Sequence, residues 1–322
     1  ISLEEKRAHL TEKMAGLKEL LINTGAEIEE NVPMGKYTSF RAGGRAAVVV
    51  CAGSEQQLLS VLSAVSNAGV PHTILGNGTN TLFRDSGYQG VVIRLGSGFS
   101  YIEEVSGGDR GKDGEKVYLR CGASVLLSSL ARNILDRSLT GFEFASGIPG
   151  SLGGALFMNA GAYGGEMKDI VTEVRAVSPD GSEIKTFTAE EMEFGYRHSI
   201  LQENGYIASG AVITLAGGDR GRIAAVMKEL NEKRNSKQPV SYPSAGSTFK
   251  RPEGHFAGRL IEEAGLKGVA IGGAQVSTLH SGFIINKGGA TATDIIDLIT
   301  LVQNTVYDKK GVMLQPEVRI IG

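Results

Sequence analysis

The chain has 322 residues, room for two domains of about 150 residues or for one with a large insertion. Its 33 basic and 35 acidic residues nearly cancel to a net charge of −2, so nucleic acid is not the default partner; 41% hydrophobic and 21% charged residues exclude disorder and collagen-like repeats. Glycine is the outlier at 45 residues, about twice the usual share, and among Val, Ile and Leu such an excess marks positions of positive φ or close backbone approach.

Residues 3 to 23 carry Leu3, Leu10, Met14, Leu17, Leu20 and Leu21 among Glu and Lys, an amphipathic helix closed by Gly25. The beginning is charged throughout, without the pattern of a signal peptide, and no apolar run approaches the ~20 residues of a membrane span. Cys51 and Cys121 stand in strand-like surroundings with no CxxC between them, which reads as two reduced, buried thiols of a cytoplasmic protein. Residues 1–30 are a helical lead-in.

Strand Ala46 to Cys51, helix Glu55 to Asn67 and strand His72 to Leu75 make one β-α-β unit, with a capping box from Ser54 and Gln57 and a stop at Gly69-Val70-Pro71. Strands are expected at Gly90 to Leu95, Phe99 to Val105 and Lys116 to Arg120, then a helix from Val125 to Leu135 behind Ser124. A glycine-dense stretch runs from Gly141 to Gly165. Val171 to Val177 and Glu183 to Phe187 form a hairpin over Pro179-Asp180-Gly181, followed by strand Tyr206 to Leu215. Gly-Gly-Asp-Arg-Gly occurs at 107 and at 217; both are turns, and the second marks a boundary. Beyond it come a basic helix (Arg222 to Arg234), helix Ala257 to Glu263, strand Phe283 to Asn286, helix Ala292 to Tyr307 and strand Glu317 to Ile321.

Several signatures are missing. Gly76-Asn77-Gly78 lacks the third glycine of the dinucleotide fingerprint, and there is no Walker loop, no GxSxG elbow and no HExxH metal motif. The Gly76 loop still follows a strand. Its two glycines let successive N–H groups face an anion, with Thr79 and Asn80 as side-chain donors; a plain Asn-Gly turn is the alternative. From Gly141 to Gly165, 8 of 25 residues are glycine. Within it, Gly153-Gly154-Ala155 opens a short helix whose first amides favour a phosphate, and Asn159-Ala160-Gly161-Ala162-Tyr163-Gly164 adds an amide and a ring suited to a planar heterocycle. Tight strand-to-helix turns are the structural alternative. Two such loops some 70 residues apart suit an extended diphosphate cofactor better than a mononucleotide.

Tyr37-Thr38-Ser39-Phe40-Arg41-Ala42-Gly43-Gly44, the Gly76 to Asn80 loop, and Ser146-Gly147-Ile148-Pro149-Gly150-Ser151-Leu152-Gly153-Gly154-Ala155 together resemble the FAD-binding domain of the vanillyl-alcohol-oxidase (PCMH) type. From about Asn31 to Gly322 the chain resembles the UDP-N-acetylenolpyruvoylglucosamine reductase family of peptidoglycan synthesis. The specific parts are Gly195-Tyr196-Arg197-His198-Ser199, Ala245-Gly246-Ser247-Thr248-Phe249-Lys250 and Gln315-Pro316-Glu317-Val318-Arg319. The resemblance implies an α+β fold: a two-subdomain FAD-binding domain at 31–216 (about 31–95 and 96–216), then a C-terminal α/β substrate-binding domain at 217–322. It also implies FAD as a non-covalent cofactor, NADPH as hydride donor and UDP-N-acetylglucosamine enolpyruvate as substrate, with no nucleic acid and no membrane partner.

In that family NADPH reduces FAD, the nicotinamide leaves, and hydride then passes to the vinyl CH2 of the enolpyruvyl ether. Charge gathers on the carbon beside the carboxylate and must be stabilised and protonated. The resemblance assigns the proton to Ser247; a hydroxyl is a poor acid and fits only a strongly basic carbanionic acceptor. Arg197 has the planar fork to grip a carboxylate through two bonds. Pro316 forces Gln315 into an extended conformation, and period two puts Glu317 and Arg319 on one strand face. The resemblance makes Glu317 a hydrogen-bonding acid that polarises the intermediate. Read from the residues alone, Ser247 is sooner a turn hydroxyl capping its own backbone, and the charges read as a surface ion pair on a solvated edge. Lys250 and Arg251 close a locally basic segment, seven basic residues against two acidic ones from Arg222 to Arg251, that suits a diphosphate, and Gln275 and His280 are candidates to line the same site. Only 50 positions separate Arg197 from Ser247, as in the shorter class of the family, without the loop whose tyrosine closes over the substrate. The alternatives are a flavin oxidase of the same fold acting on a sugar or alcohol, and a non-catalytic nucleotide-sugar binder.

Overall fold

Helix Glu55–Ala68 shows how local chemistry sets an element. The Ser54 side chain accepts the N–H of Gln57 at 3.2 Å, Gln57 Oε1 accepts the N–H of Gly53, and Gly69 ends the helix in the left-handed region at φ 59°. Leu58, Val61, Leu62 and Val65 form its buried stripe. The computed structural model describes residues 3–105 and 115–322, so the Gly-Gly-Asp-Arg-Gly turn at 107 lies outside the described residues.

The chain divides into two compact units, residues 1–29, 48–77 and 90–232 in the first and 30–47, 78–89 and 233–322 in the second. In the first, His72–Ile74 pairs in parallel with Val91–Ile93 of strand Tyr88–Leu95. The second sheet has the order Ile184–Thr188, Val171–Val177, Ile207–Gly217, Lys116–Gly122, Ile102–Glu104, with Leu139–Thr140 also on Ile207–Gly217. Its pairings are antiparallel, and the hairpin expected at Pro179-Asp180-Gly181 is present. Helices Leu127–Asp136 and Leu152–Met158 help fill the core on this sheet, through Leu130, Ile134, Leu152 and Leu156 against Leu119, Val174, Ile213 and Leu215. Each such side chain taken from water contributes about 1.5–3 kcal/mol before chain entropy is counted.

The second unit is built on the antiparallel strands Ala270–Ile271, Ala274–Val276 and Ile284–Asn286 and helix Ala292–Lys310, which buries Ile295, Leu298, Ile299, Val302 and Val306. A reciprocal capping box between Thr291 and Asp294 starts that helix, with Gly311 at its end. Asp85 also accepts the N–H groups of Ala292 and Thr293 at 3.0 and 2.7 Å.

Four expectations change, the first being that the strand expected from Glu317 covers only Arg319–Ile321 and leaves Glu317 outside it. The division at 217 moves, because Phe40, Ala42 and Leu82 belong to the core of Ile261, Leu298 and Val318, and Arg319–Ile321 pairs in parallel with Thr81–Phe83. The helix expected from Val125 begins at Leu127, since Leu126 bridges to Ser151 and the Ser124 hydroxyl donates to Gly96 O instead of capping. The strand expected from Phe99 covers only Ile102–Glu104; Ser97–Phe99 is a 3-10 turn, pressed so close that a Cβ on Gly98 would lie 1.9 Å from Gly53 O.

Cys121 is fully buried, and burial pushes its thiol up to about 12; burial also raises Cys51. A thiol-exchange dye at pH 8 therefore labels Cys121 only after unfolding. Labelling of both thiols within minutes in the native protein would contradict this packing.

Candidate active site

In the first unit the two glycine loops meet. A Cβ on Gly76 would lie 2.9 Å from Ser151 Oγ, and one on Gly153 would press on Ala123, whose carbonyl accepts the Gly153 N–H at 2.8 Å. Gly150 turns at φ 124° immediately before Ser151, and Ala155 is buried in the helix that follows, with Gly154 exposed beside it. Ile148 packs against the core. The Ser146 hydroxyl is buried without a hydrogen-bond partner. A buried, unsatisfied hydroxyl costs about 1–3 kcal/mol, and its place in a glycine-rich segment fits a bound polar group. Asn77 is exposed beside Gly76.

The stretch after the short helix folds into a small ladder, Gly161–Ala162 against Gly165–Glu166, with Tyr163 at its tip at φ 53° and its hydroxyl on Leu230 O at 3.2 Å. Asn159 differs from expectation. Its amide is wholly buried and donates to Glu166 Oε2 at 3.0 Å and to Gly195 O at 2.9 Å, while its oxygen accepts the Lys168 N–H at 3.0 Å. Both amide donors are used within the protein, so this side chain has none left to offer a ligand.

Arg197 sits on a two-residue turn closed by reciprocal bonds, Gly195 N–H to His198 O at 3.1 Å and His198 N–H to Gly195 O at 3.2 Å. Its φ is 54°. The guanidinium lies 5.0 Å from the centre of the Tyr196 ring and reaches Gly161 O at 3.4 Å.

The second unit holds the remaining candidates. Tyr37 to Gly44 wraps through Thr38 Oγ1 to Ala42 O (3.3 Å) and a turn from Arg41 N–H to Thr38 O (3.0 Å), with Arg41 exposed and Lys36 Nζ 4.9 Å over the Tyr37 ring. Gly43, at φ 117°, would set a Cβ 2.6 Å from Phe83 O. Gly78 is tighter still: a Cβ there would fall 1.9 Å from Tyr37 O, and its carbonyl accepts the Ser39 N–H. Thr79 and Asn80 follow, half-buried, and Asn80 Nδ2 donates to Glu317 O at 3.1 Å.

The Ser247 segment and Glu317 are tied together through Thr248, the residue that follows Ser247. Thr248 is buried; its carbonyl accepts the Glu317 N–H at 2.8 Å, its N–H donates to Gly282 O and its Oγ1 accepts the Ile284 N–H. Ser247 is thereby fixed at the exposed edge of a pinned segment, one peptide from Glu317's own backbone bond. Sequence reasoning missed Thr248; a threonine beside a candidate serine gives no signal until its three backbone partners are known.

Lys250 continues the segment, its N–H on Gln315 O at 2.8 Å, and the Arg251 guanidinium stacks 4.0 Å over the exposed Phe256 ring. Gln275 and His280 are used internally. Gln275 Nε2 donates to Gly268 O, and His280 Nδ1 accepts the Gly282 N–H at 3.0 Å with its ring edge-on to Phe283. Burial lowers the His280 pKa, in keeping with a neutral ring in a structural role.

A family model described as the FAD binding domain matches residues 46–186, and one described as the UDP-N-acetylenolpyruvoylglucosamine reductase C-terminal domain matches 238–321. The UDP-N-acetylenolpyruvoylglucosamine reductase of Clostridioides difficile is 49% identical over 296 residues, 92% of this chain and 94% of the relative. That of Caldanaerobacter subterraneus subsp. tengcongensis is 48% identical over 306 residues, 95% and 97% of the two. The crystal structure of the corresponding reductase from Thermus caldophilus matches at a TM-score of 0.77 and 32% identity, covering 92% of this chain and 99% of that one. Near full-length identity of this order, with an FAD-binding domain and a reductase C-terminal domain in sequence, places the chain in the UDP-N-acetylenolpyruvoylglucosamine reductase family, as an FAD-dependent oxidoreductase of the α+β fold.

Proposed function

We propose that this protein reduces UDP-N-acetylglucosamine enolpyruvate to UDP-N-acetylmuramate at the expense of NADPH, in the cytoplasmic supply of peptidoglycan precursors. The observation that carries the reading is the Glu317 N–H to Thr248 O bond at 2.8 Å, which ties the candidate proton donor's segment to the candidate acid. In the first unit Gly76, Asn77 and the Ser146 to Ala155 segment would hold FAD, which supplies the hydride chemistry when bound.

The protein's own groups then do three things. Arg197 offers two parallel N–H donors to the substrate carboxylate, where negative charge builds as hydride arrives. Glu317, in its acid form, hydrogen-bonds the same developing charge. Ser247 donates its hydroxyl proton to the carbon beside the carboxylate, and an exposed hydroxyl recovers that proton from water. Lys250 and Arg251 supply positive charge for the diphosphate. Among the described residues no helix is long and apolar enough to cross a membrane.

The visible spectrum of the purified protein tests the reading. It is expected yellow, bleached by NADPH without air, and restored on adding the enolpyruvyl sugar. Restoration by oxygen alone, with indifference to that sugar, would make it an oxidase, and a colourless protein that FAD cannot reconstitute would make it a binding protein.

A further inference from the structure

The turn that presents Arg197 is not self-supporting. A non-glycine residue at φ 54° crowds its own Cβ against the backbone and persists only where the surroundings over-determine it. Two side-chain amides do so here, one on each flank of the arginine. Asn159 Nδ2 donates to Gly195 O at 2.9 Å, the carbonyl that also closes the turn. Gln202 Nε2 donates to Arg197 O at 3.0 Å and to Phe157 O at 2.8 Å, and the buried Ser199 hydroxyl shares that Phe157 carbonyl at 2.8 Å.

Asn159 and Phe157 both belong to the end of helix Leu152–Met158, where Asn159 is the left-handed C-cap at φ 42°. The helix that opens at Ser151 therefore ends in the clamp on the arginine turn. Gln202 is exposed and in neither glycine loop, and Asn159 has no donor left for a ligand. Neither touches the reacting groups; both act on carbonyls that set where the guanidinium starts.

We propose that Asn159 and Gln202 are positioning residues for Arg197, holding its strained turn in the one register that aims the guanidinium at the substrate carboxylate. This rests on the reductase reading for its catalytic consequence but not for its structural one. A displacement of about 1 Å in a binding group can cost a hundredfold in rate, so loss of either amide is felt in turnover and not in cofactor loading.

The test uses the holoenzyme with Gln202→Met, which keeps side-chain length and removes the donors, and Asn159→Gly, which keeps the left-handed backbone. Gln202→Met is expected to lower turnover of the enolpyruvyl sugar about ten- to a hundredfold and to leave flavin content and anaerobic reduction by NADPH within about twofold of wild type. In an Arg197→Ala background the same change should cost less than about twofold, because its effect passes through the arginine. Amide hydrogen exchange at His198, whose N–H closes the turn, should quicken at least about tenfold in Gln202→Met. Equal losses in both backgrounds, a parallel fall in NADPH reduction, or unchanged exchange at His198 would each overturn the proposal. Asn159→Gly is expected to follow the same pattern with a lower melting temperature; if it fails to fold, Gln202→Met decides alone. If the wild-type protein does not reduce the sugar, the reductase reading falls, and the exchange measurement still decides the clamp.

Discussion

Ser247→Ala is expected to leave anaerobic reduction of the flavin by NADPH at the wild-type rate and to lower turnover of the enolpyruvyl sugar by a factor of about 10²–10⁴. The asymmetry follows from where the hydroxyl enters. It has no part in the first half-reaction, and it supplies the proton only after hydride has reached the vinyl carbon. Alanine deletes one oxygen from an exposed position, so neither packing nor Thr248's three backbone bonds are disturbed, and the melting temperature should hold within about a degree. Rapid-mixing absorbance of the two half-reactions measured separately gives the answer. Equal loss in both would remove the proton-donor role, and retention of both would hand it to another group or to water.

Gly78→Ala is expected to be the most damaging single methyl in the cofactor loop. At φ 65° an L-residue pays about 1–2 kcal/mol for the left-handed backbone. The methyl would in addition fall 1.9 Å from Tyr37 O, a backbone atom with no rotamer to yield, so the loop or the Tyr37 peptide must move. Overpacking of this kind adds about 1–3 kcal/mol. The shift also breaks Ser39 N–H to Gly78 O, 3.0 Å long, so the damage spreads into the Tyr37 to Gly44 segment. A melting temperature lowered by about 10 °C and purified protein with little flavin are the expected readouts. Gly289→Ala is the control: φ is 67° there but nothing lies within 4 Å, so only the backbone cost remains. Similar behaviour of the two variants would mean that the close approach of Gly78 to Tyr37 does not matter.

What could be read beforehand followed from chemistry local in sequence. The Ser54 and Gln57 cap, the Gly69 stop, the Asp180 hairpin and the short helix through Gly153 and Gly154 each show themselves within a few residues. What could not be read was set by distant partners. Strand Glu27–Pro33 buries only Val32, so no alternation announces it, and Thr81–Phe83 is three buried residues without a period. Asn159 looked like a ligand amide because a polar side chain among glycines has no visible partner; its partner, Gly195 O, lies 36 residues away. His280 looked equally available until the Gly282 N–H was found on Nδ1. The arginine, serine and glutamate stand out in their motifs by their chemistry, whereas the backbone partners of Thr248 and Gln202 are not legible in any motif.

The parallel pairing of Arg319–Ile321 with Thr81–Phe83 also bears on how the protein comes to be folded on the ribosome. Residues 30–47 and 78–89 are synthesised early, yet their core partners, from Ala245 to Val318, arrive more than 150 residues later. Until then Phe40, Ala42 and Leu82 are exposed apolar groups on a nascent chain, while the core made by residues 119–227 has all of its members in hand. Contacts of such long sequence separation form slowly. The first unit can condense during synthesis, whereas the second can complete its core only once Val318 has been made.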